Sequence, residues 1–170
     1  MNLSDESSER SEAYRILADL YSKPPEEERL HEIRGDLELK SAENAEAIRT
    51  DFDFLFAYPG GRVPPLESLF LARAGTPHGS PVTDFYAGAE LAIEDESGLP
   101  PDHISLEFLF MSYLIDIGRI DLQGSFLEEH LMNWAPYYCE EVKGEAKTLF
   151  YREVAGITVD FLDSEYENFG

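Results

Sequence analysis

A helix that is apolar on most of its sides belongs at the centre of a fold, surrounded by other elements. Leu106, Leu109, Phe110, Tyr113, Leu114 and Ile117 describe such a helix. Pro100-Pro101 stops whatever precedes it, because proline lacks the amide that a continuing helix would need. Asp102 follows, and its carboxylate is expected to cap this helix by accepting from the exposed amides of the first turn. His103 lies at the same helix mouth, on a loop edge where binding groups gather. A chain organised around this helix needs further amphipathic helices to cover it.

The rest of the sequence supplies them, cut by proline and glycine. Ala13, Leu17, Leu20 and Tyr21 recur at helical spacing up to Pro24-Pro25. Leu30, Ile33 and Leu37 mark a short second helix near Gly35. Ala45, Ile48, Phe52, Leu55 and Phe56 form a third stripe, closed by Tyr58-Pro59-Gly60-Gly61. Pro64-Pro65 opens a short segment from Leu66 to Ala72. Gly75 to Pro81 is the clearest internal break. Val82, Phe85, Tyr86, Ala89 and Ile93 then repeat at three and four residues.

Gly118 and Gly124 are expected to bracket a connection after the central helix. Phe126, Leu127, His130, Leu131 and Trp134 follow on a helix that Pro136 should end or kink. One last long helix is expected to carry Val142, Ala146, Leu149, Phe150, Val154, Ile157 and Phe161. Gly156-Ile157-Thr158-Val159 is β-branched but too isolated to build a sheet. The expected fold is therefore all-α, a helical bundle-like globule forming one domain over residues 1–170. The first ten or so residues and the last few are expected to fray.

Composition is consistent with a packed core. With 170 residues and 43% hydrophobic content, a single domain should bury roughly 68–70% of the surface its unfolded form exposes. Cys139 is the only cysteine, which leaves no internal disulfide and no thiolate cluster. No apolar run approaches 18 residues and residues 1–10 are polar and acidic, so neither a membrane span nor a secretory signal is expected. The expected location is cytoplasmic.

The formal net charge of -22 disfavours nucleic acid and anionic membranes as partners. It would draw in a basic peptide. Solubility or a saline habitat produces the same bias, and the lysines, Lys23, Lys40, Lys143 and Lys147, are few enough to fit that habitat.

Catalytic signatures are missing. There is no Gly-x-Ser-x-Gly elbow, no Gly-x-x-x-x-Gly-Lys-Ser/Thr loop to cradle phosphates and no dinucleotide fingerprint after a strand. Cys139 has the character of a half-buried structural thiol. His31, His78, His103 and His130 show no His-x-x-x-His pairing, so no metal and no cofactor are expected. Glu128-Glu129 and Glu140-Glu141 are most simply solvated faces. No catalytic residue is identified, and the chain is not expected to be an enzyme.

Three motifs in order carry a more specific message. Pro100-Pro101-Asp102-His103 leads into Leu106-Glu107-Phe108-Leu109-Phe110-Met111. Leu55-Phe56 is followed by Pro64-Pro65-Leu66-Glu67-Ser68-Leu69-Phe70. Phe126, His130, Leu131, Trp134 and Pro136 make a third set. Together they resemble the signature segments of the TorD/DmsD family of redox-enzyme maturation chaperones, to which the nitrate-reductase assembly chaperones are related in the same all-helical fold. Leu66 stands where the family usually has an aromatic, and Leu69-Phe70 replace Val-Tyr.

The resemblance implies a cytoplasmic chaperone that binds the twin-arginine signal peptide or N-terminal region of a molybdopterin oxidoreductase catalytic subunit. Export is thereby delayed until cofactor insertion. By the same resemblance, Asp102 and His103 belong to the peptide-binding region, with Pro100 and Pro101 shaping the loop. Phe52, Leu55, Phe56, Leu66, Glu67, Ser68 and Phe70 would help line the groove. The alternative is a guanine-nucleotide-binding or cofactor-handling protein in molybdoenzyme maturation.

The physical chemistry fits the first reading, since guanidiniums call for carboxylates beside an apolar groove. Asp102, Glu67 and Glu107 are the candidate carboxylates. Asp102 could equally be only a cap, and Glu107 only the partner of a buried neighbour. His130 and Trp134, at i and i+4, read as core. The Gly75–Pro81 segment would permit a homodimer by domain swapping.

Overall fold

The structure, a computed structural model, describes residues 3–77, 79, 81–89 and 98–169. Among these residues it is all-α: α1 (Leu3–Ser22), α2 (Glu27–Asp36), α3 (Ala45–Phe56), α4 (Glu67–Ala74), α5 (Val82–Gly88), α6 (Ile104–Asp116), α7 (Ile120–Phe126), α8 (Met132–Glu145) and α9 (Leu149–Phe169). A widened π-helical turn, Leu127–Leu131, joins α7 to α8. Ile93 and His78 lie outside the described residues.

The central element is α6. Nine of its thirteen residues are buried, among them Ile104, Phe108, Met111 and Leu114 with almost no exposed surface. It packs along α1, where Tyr14 meets Phe108 and Ser11 hydrogen-bonds with Ser112 and with Asp116. The helices α8 and α9 close the other side. Tyr21 of α1 shares a hydroxyl contact with Thr158 of α9 at 2.9 Å. An aromatic layer of Tyr21, Phe52, Phe56 and Tyr151 joins α1, α3 and α9.

Several boundaries differ from the sequence expectation, each for an identifiable reason. The expected last helix is two helices, broken at residues 146–148. Asp51 of α3 takes the amides of Lys147 and Thr148 and the Thr148 hydroxyl, while Glu43 takes the amides of Leu149 and Phe150. These carboxylates cap α9 from elsewhere in the chain and make a new N-terminus there more favourable than continuation.

Both ends are helical, α1 from Leu3 and α9 to Phe169. Arg10 ties the two together through paired hydrogen bonds to the buried Glu165, both at 2.8 Å. The connection expected between Gly118 and Gly124 is mostly α7, with Gly124 inside it. Pro136 does not end its helix. The chain is distorted one turn earlier, where the Met132 amide reaches back five residues to the Leu127 carbonyl, and α8 continues through the proline.

Candidate functional site

The segments that follow the two double prolines run side by side. Leu66 and His103 pair as an isolated antiparallel bridge, with Ile104 N–H donating to the Pro65 carbonyl at 2.9 Å and Glu67 N–H to the Asp102 carbonyl at 3.1 Å. Both α4 and α6 therefore begin at one place. The carboxylates of Glu67 and Asp102 lie there, and Glu107 sits one turn into α6.

The caps are exchanged relative to the sequence expectation. Asp102 does not cap α6; its Oδ2 accepts the Ser68 amide at 2.8 Å and so caps α4. His103 is the N-cap of α6, its Nδ1 accepting from Ser105 N–H at 3.1 Å. This contact assigns the proton to Nε2. Burial pushes the His103 imidazole down to about 4, against a smaller upward pull from Asp102, so it is neutral at pH 7.

Beside this junction opens a cavity of about 580 Å³. Glu67, Asp102 and Glu129 supply carboxylates, with His130 and Asn133 completing the polar wall. Leu71, Val82, Pro77, Pro81 and Pro101 give it apolar surface. No lysine or arginine is among the described lining residues.

Glu67 is 7% exposed, and both its oxygens contact His130 Nδ1, at 2.8 and 3.0 Å. The His130 ring is stacked on Phe126 with centroids 5.3 Å apart and meets Phe85 edge-on at 5.2 Å. Behind this pair Glu107 is fully buried, its Oε1 accepting from Trp134 Nε1 at 3.2 Å and its Oε2 without a hydrogen-bond partner among the described residues. Burial, reinforced by the negative charges of Glu67 and Asp102, raises the Glu107 carboxyl well above the usual range. Such a group holds its proton at neutral pH. Tyr86 donates to the Pro101 carbonyl at 2.8 Å and ties α5 to the loop before α6.

Of the residues singled out from sequence, Glu67, Ser68, Pro101 and Asp102 meet at the cavity. Pro100 is half-buried behind it, its carbonyl accepting His103 N–H. Leu66, His103 and Glu107 are buried supports. Phe70 turns away, against Trp134 and Tyr138, and lines a separate shallow depression with Arg73, Ala74, Tyr137 and Glu141.

Phe52, Leu55 and Phe56 are not brought to the cavity. They belong to α3 and to the core beside Tyr21 and Tyr151, and the apolar wall comes instead from Leu71, Val82 and the prolines. His130 is buried, as its helical spacing with Trp134 suggested, but it also lines the cavity. Glu129, read from the sequence as part of a solvated face, and Asn133, which was not singled out, also line the cavity. The face they share with His130 was the available signal. Among the described residues, no group of three or more His, Cys, Asp or Glu side chains is placed to hold a metal ion.

Comparison with known proteins bears on the same segment. Residues 22–140 match the family described as the nitrate reductase delta subunit, a stretch that contains all three motifs and the cavity. A probable Tat proofreading chaperone DmsD of Haemophilus influenzae is 28% identical over 119 residues, covering 68% of this chain and 58% of that protein. The chaperone protein TorD of Photobacterium profundum is 26% identical over 167 residues, covering 88% of this chain and 77% of the relative. A Shewanella piezotolerans TorD is 20% identical over 195 residues, covering 93% and 91%. With the family match spanning residues 22–140 and these relatives aligned along the chain, this chain belongs to the nitrate reductase delta subunit family, together with the TorD- and DmsD-type chaperones.

Proposed function

We propose that this chain is a redox-enzyme maturation chaperone that acts by binding and not by catalysis. Its client is the twin-arginine signal peptide or N-terminal region of a molybdopterin oxidoreductase catalytic subunit, held in the cytoplasm until the cofactor is in place. The names of its relatives, a Tat proofreading chaperone and TorD chaperones, support this reading. The observation that carries it is the cavity at the α4–α6 junction, where three carboxylates face one space beside Leu71, Val82 and three prolines, with no lysine or arginine among the described lining residues.

Guanidiniums make charge-assisted, often two-pronged bonds to carboxylates, and an apolar stretch that follows them would find the apolar wall. Among the described residues no helix is long and apolar enough to cross a membrane. The homodimer exchanged across residues 75–81 belongs to the same proposal and is read by light scattering on the purified protein.

Calorimetric titration with twin-arginine signal peptides, each beside a Lys-Lys control, tests the reading. A Kd in the low micromolar range, about -8 kcal/mol, for one peptide and its loss with the control supports it. Equal, weak binding of all peptides would overturn it.

A further inference from the structure

With a twin-arginine peptide as the occupant of this cavity, the reading on which this step rests, we infer that Glu67 is the carboxylate that tells arginine from lysine. His130 occupies its place of contact in the free protein. The geometry is specific. His130 Nδ1 lies at 2.8 and 3.0 Å from the two Glu67 oxygens, almost equally shared. A donor in that position sits on the edge of the carboxylate between its oxygens, which is the edge a forked guanidinium uses for two parallel hydrogen bonds. An imidazole and a two-pronged arginine cannot both hold it.

The other two carboxylates cannot make this distinction as well. Asp102 has Oδ2 committed to the Ser68 amide, and Glu129 stands on the exposed rim. Asp102 is left with a single oxygen, which an ammonium satisfies as readily as a guanidinium, and a pair made by Glu129 forms in water, where it is worth little. Glu67 differs in being 7% exposed while still reaching the cavity wall. A carboxylate so desolvated is costly to leave unpaired, so His130 is exchanged only for a donor that replaces it in full. Arginine, with its fixed fork, does so. Lysine, a compact point charge, leaves Glu67 with its histidine. The resident imidazole thus sets a threshold that only the forked cation passes.

The rings of Phe126 and Phe85 hold the imidazole in register with Glu67. Phe85 belongs to α5, which also contributes Val82 and Thr83 to the cavity. Displacement of His130 would therefore be felt in the wall that faces the peptide.

The test uses the full chain, Glu67→Gln and His130→Gln. Glutamine at 67 retains an acceptor for His130 but offers only one oxygen to a guanidinium. The ligands are a signal peptide with its Lys-Lys control, and the blocked dipeptides acetyl-Arg-Arg-amide and acetyl-Lys-Lys-amide. Calorimetry gives the Arg-Arg over Lys-Lys affinity ratio, and nitrogen-15 spectra of histidine-labelled protein follow His130, assigned by the signal missing in His130→Gln.

A parent ratio of about tenfold or more, falling to within about twofold in Glu67→Gln because Arg-Arg loses more affinity than Lys-Lys, supports the inference. So does movement of the His130 Nδ1 resonance with Arg-Arg and not with Lys-Lys. An unchanged ratio in Glu67→Gln, or a His130 resonance indifferent to a bound Arg-Arg ligand, overturns it while leaving the peptide reading intact. If the dipeptide displaces His130 but no signal peptide binds, the client reading fails and Glu67 keeps its role. If neither ligand binds, both fail.

Discussion

The carboxylate of Asp102 accepts the Ser68 amide at 2.8 Å, so the residue that directly precedes the N-cap of α6 caps α4, which begins thirty-odd residues earlier in the chain. One side chain joins the two helix starts and also lines the cavity. Its structural and binding roles separate on substitution. Asp102→Asn keeps an acceptor for Ser68 and should cost less than about 0.5 kcal/mol, whereas Asp102→Ala should cost about 1 kcal/mol, up to about 2. Both should weaken Arg-Arg peptide binding. Urea unfolding of the two variants checks this; equal losses would show that the side chain does not act as a cap.

Acid should destabilise the protein through His103. Its folded-state value of about 4 lies below the ordinary 6.5, so between these values the unfolded chain binds more protons. Stability therefore falls as the pH is lowered from 6.5 towards 4, by on the order of 3 kcal/mol in full. His103→Asn preserves a good N-cap and should remove that part of the slope. Thermal unfolding between pH 4 and 7 shows whether the two curves converge near neutrality and separate in acid.

Glu107 acts with the opposite sign. Its raised value means that the folded state keeps a proton which the unfolded chain releases above about 4.5, so stability declines with rising pH above that point. Glu107→Gln retains the acceptor for Trp134 Nε1 and carries no charge to release. At pH 8 it should be more stable than the parent, read as a higher Tm, with the difference shrinking as the pH is lowered. The emission of Trp134, the single tryptophan, should be nearly unchanged. A lower Tm for the variant at pH 8 would contradict the buried neutral acid.

Asp51 should be the most sensitive acidic residue outside the cavity. It is 2% exposed and takes three donors from Lys147 and Thr148. Asp51→Ala leaves those donors unmatched at the start of α9 and should cost roughly 2–4 kcal/mol, with Asp51→Asn losing less. Chemical denaturation decides it, and a cost under about 1 kcal/mol would mean that α9 starts at Leu149 for another reason.

Salt separates the two explanations of the acidic surface. If the charge of -22 steers a basic peptide, the association rate should fall several-fold as ionic strength rises from low to physiological, with a smaller change in dissociation. Stopped-flow association at several salt concentrations measures this. A salt-independent rate would leave the acidity to habitat or solubility.

What can be read from the sequence depends on whether the cause is local. The bounds of α3 follow from its apolar stripe and the Tyr58-Pro59-Gly60-Gly61 break, and the structure adds a local cap, Asn44, which accepts the Ala47 amide three residues on. The buried character of α6 follows from its composition alone. The break before α9 does not, because its caps, Asp51 and Glu43, come from about a hundred residues away.

The same holds at the site. Asp102 stands out in the sequence, but its partner is invisible without the pairing of Leu66 with His103. His130 reads as core because helical spacing reports burial and says nothing of a cavity edge. The α3 aromatics are assigned to the groove by resemblance, whereas their stripe faces Tyr21 and Tyr151.

The pairing of Leu66 with His103 makes the segment between them start and end at one point of the bundle. That segment carries most of the apolar cavity wall, from Leu71 through Val82 to Pro101. A loop whose ends are already joined can be lengthened at a cost that grows only with the logarithm of its size. The client-facing wall can thus change length between α4 and α6 at little cost, provided that Leu71, Val82 and Tyr86 keep their places in the core. A graft of residues 67–102 between relatives is the unit in which preference for one client over another should travel.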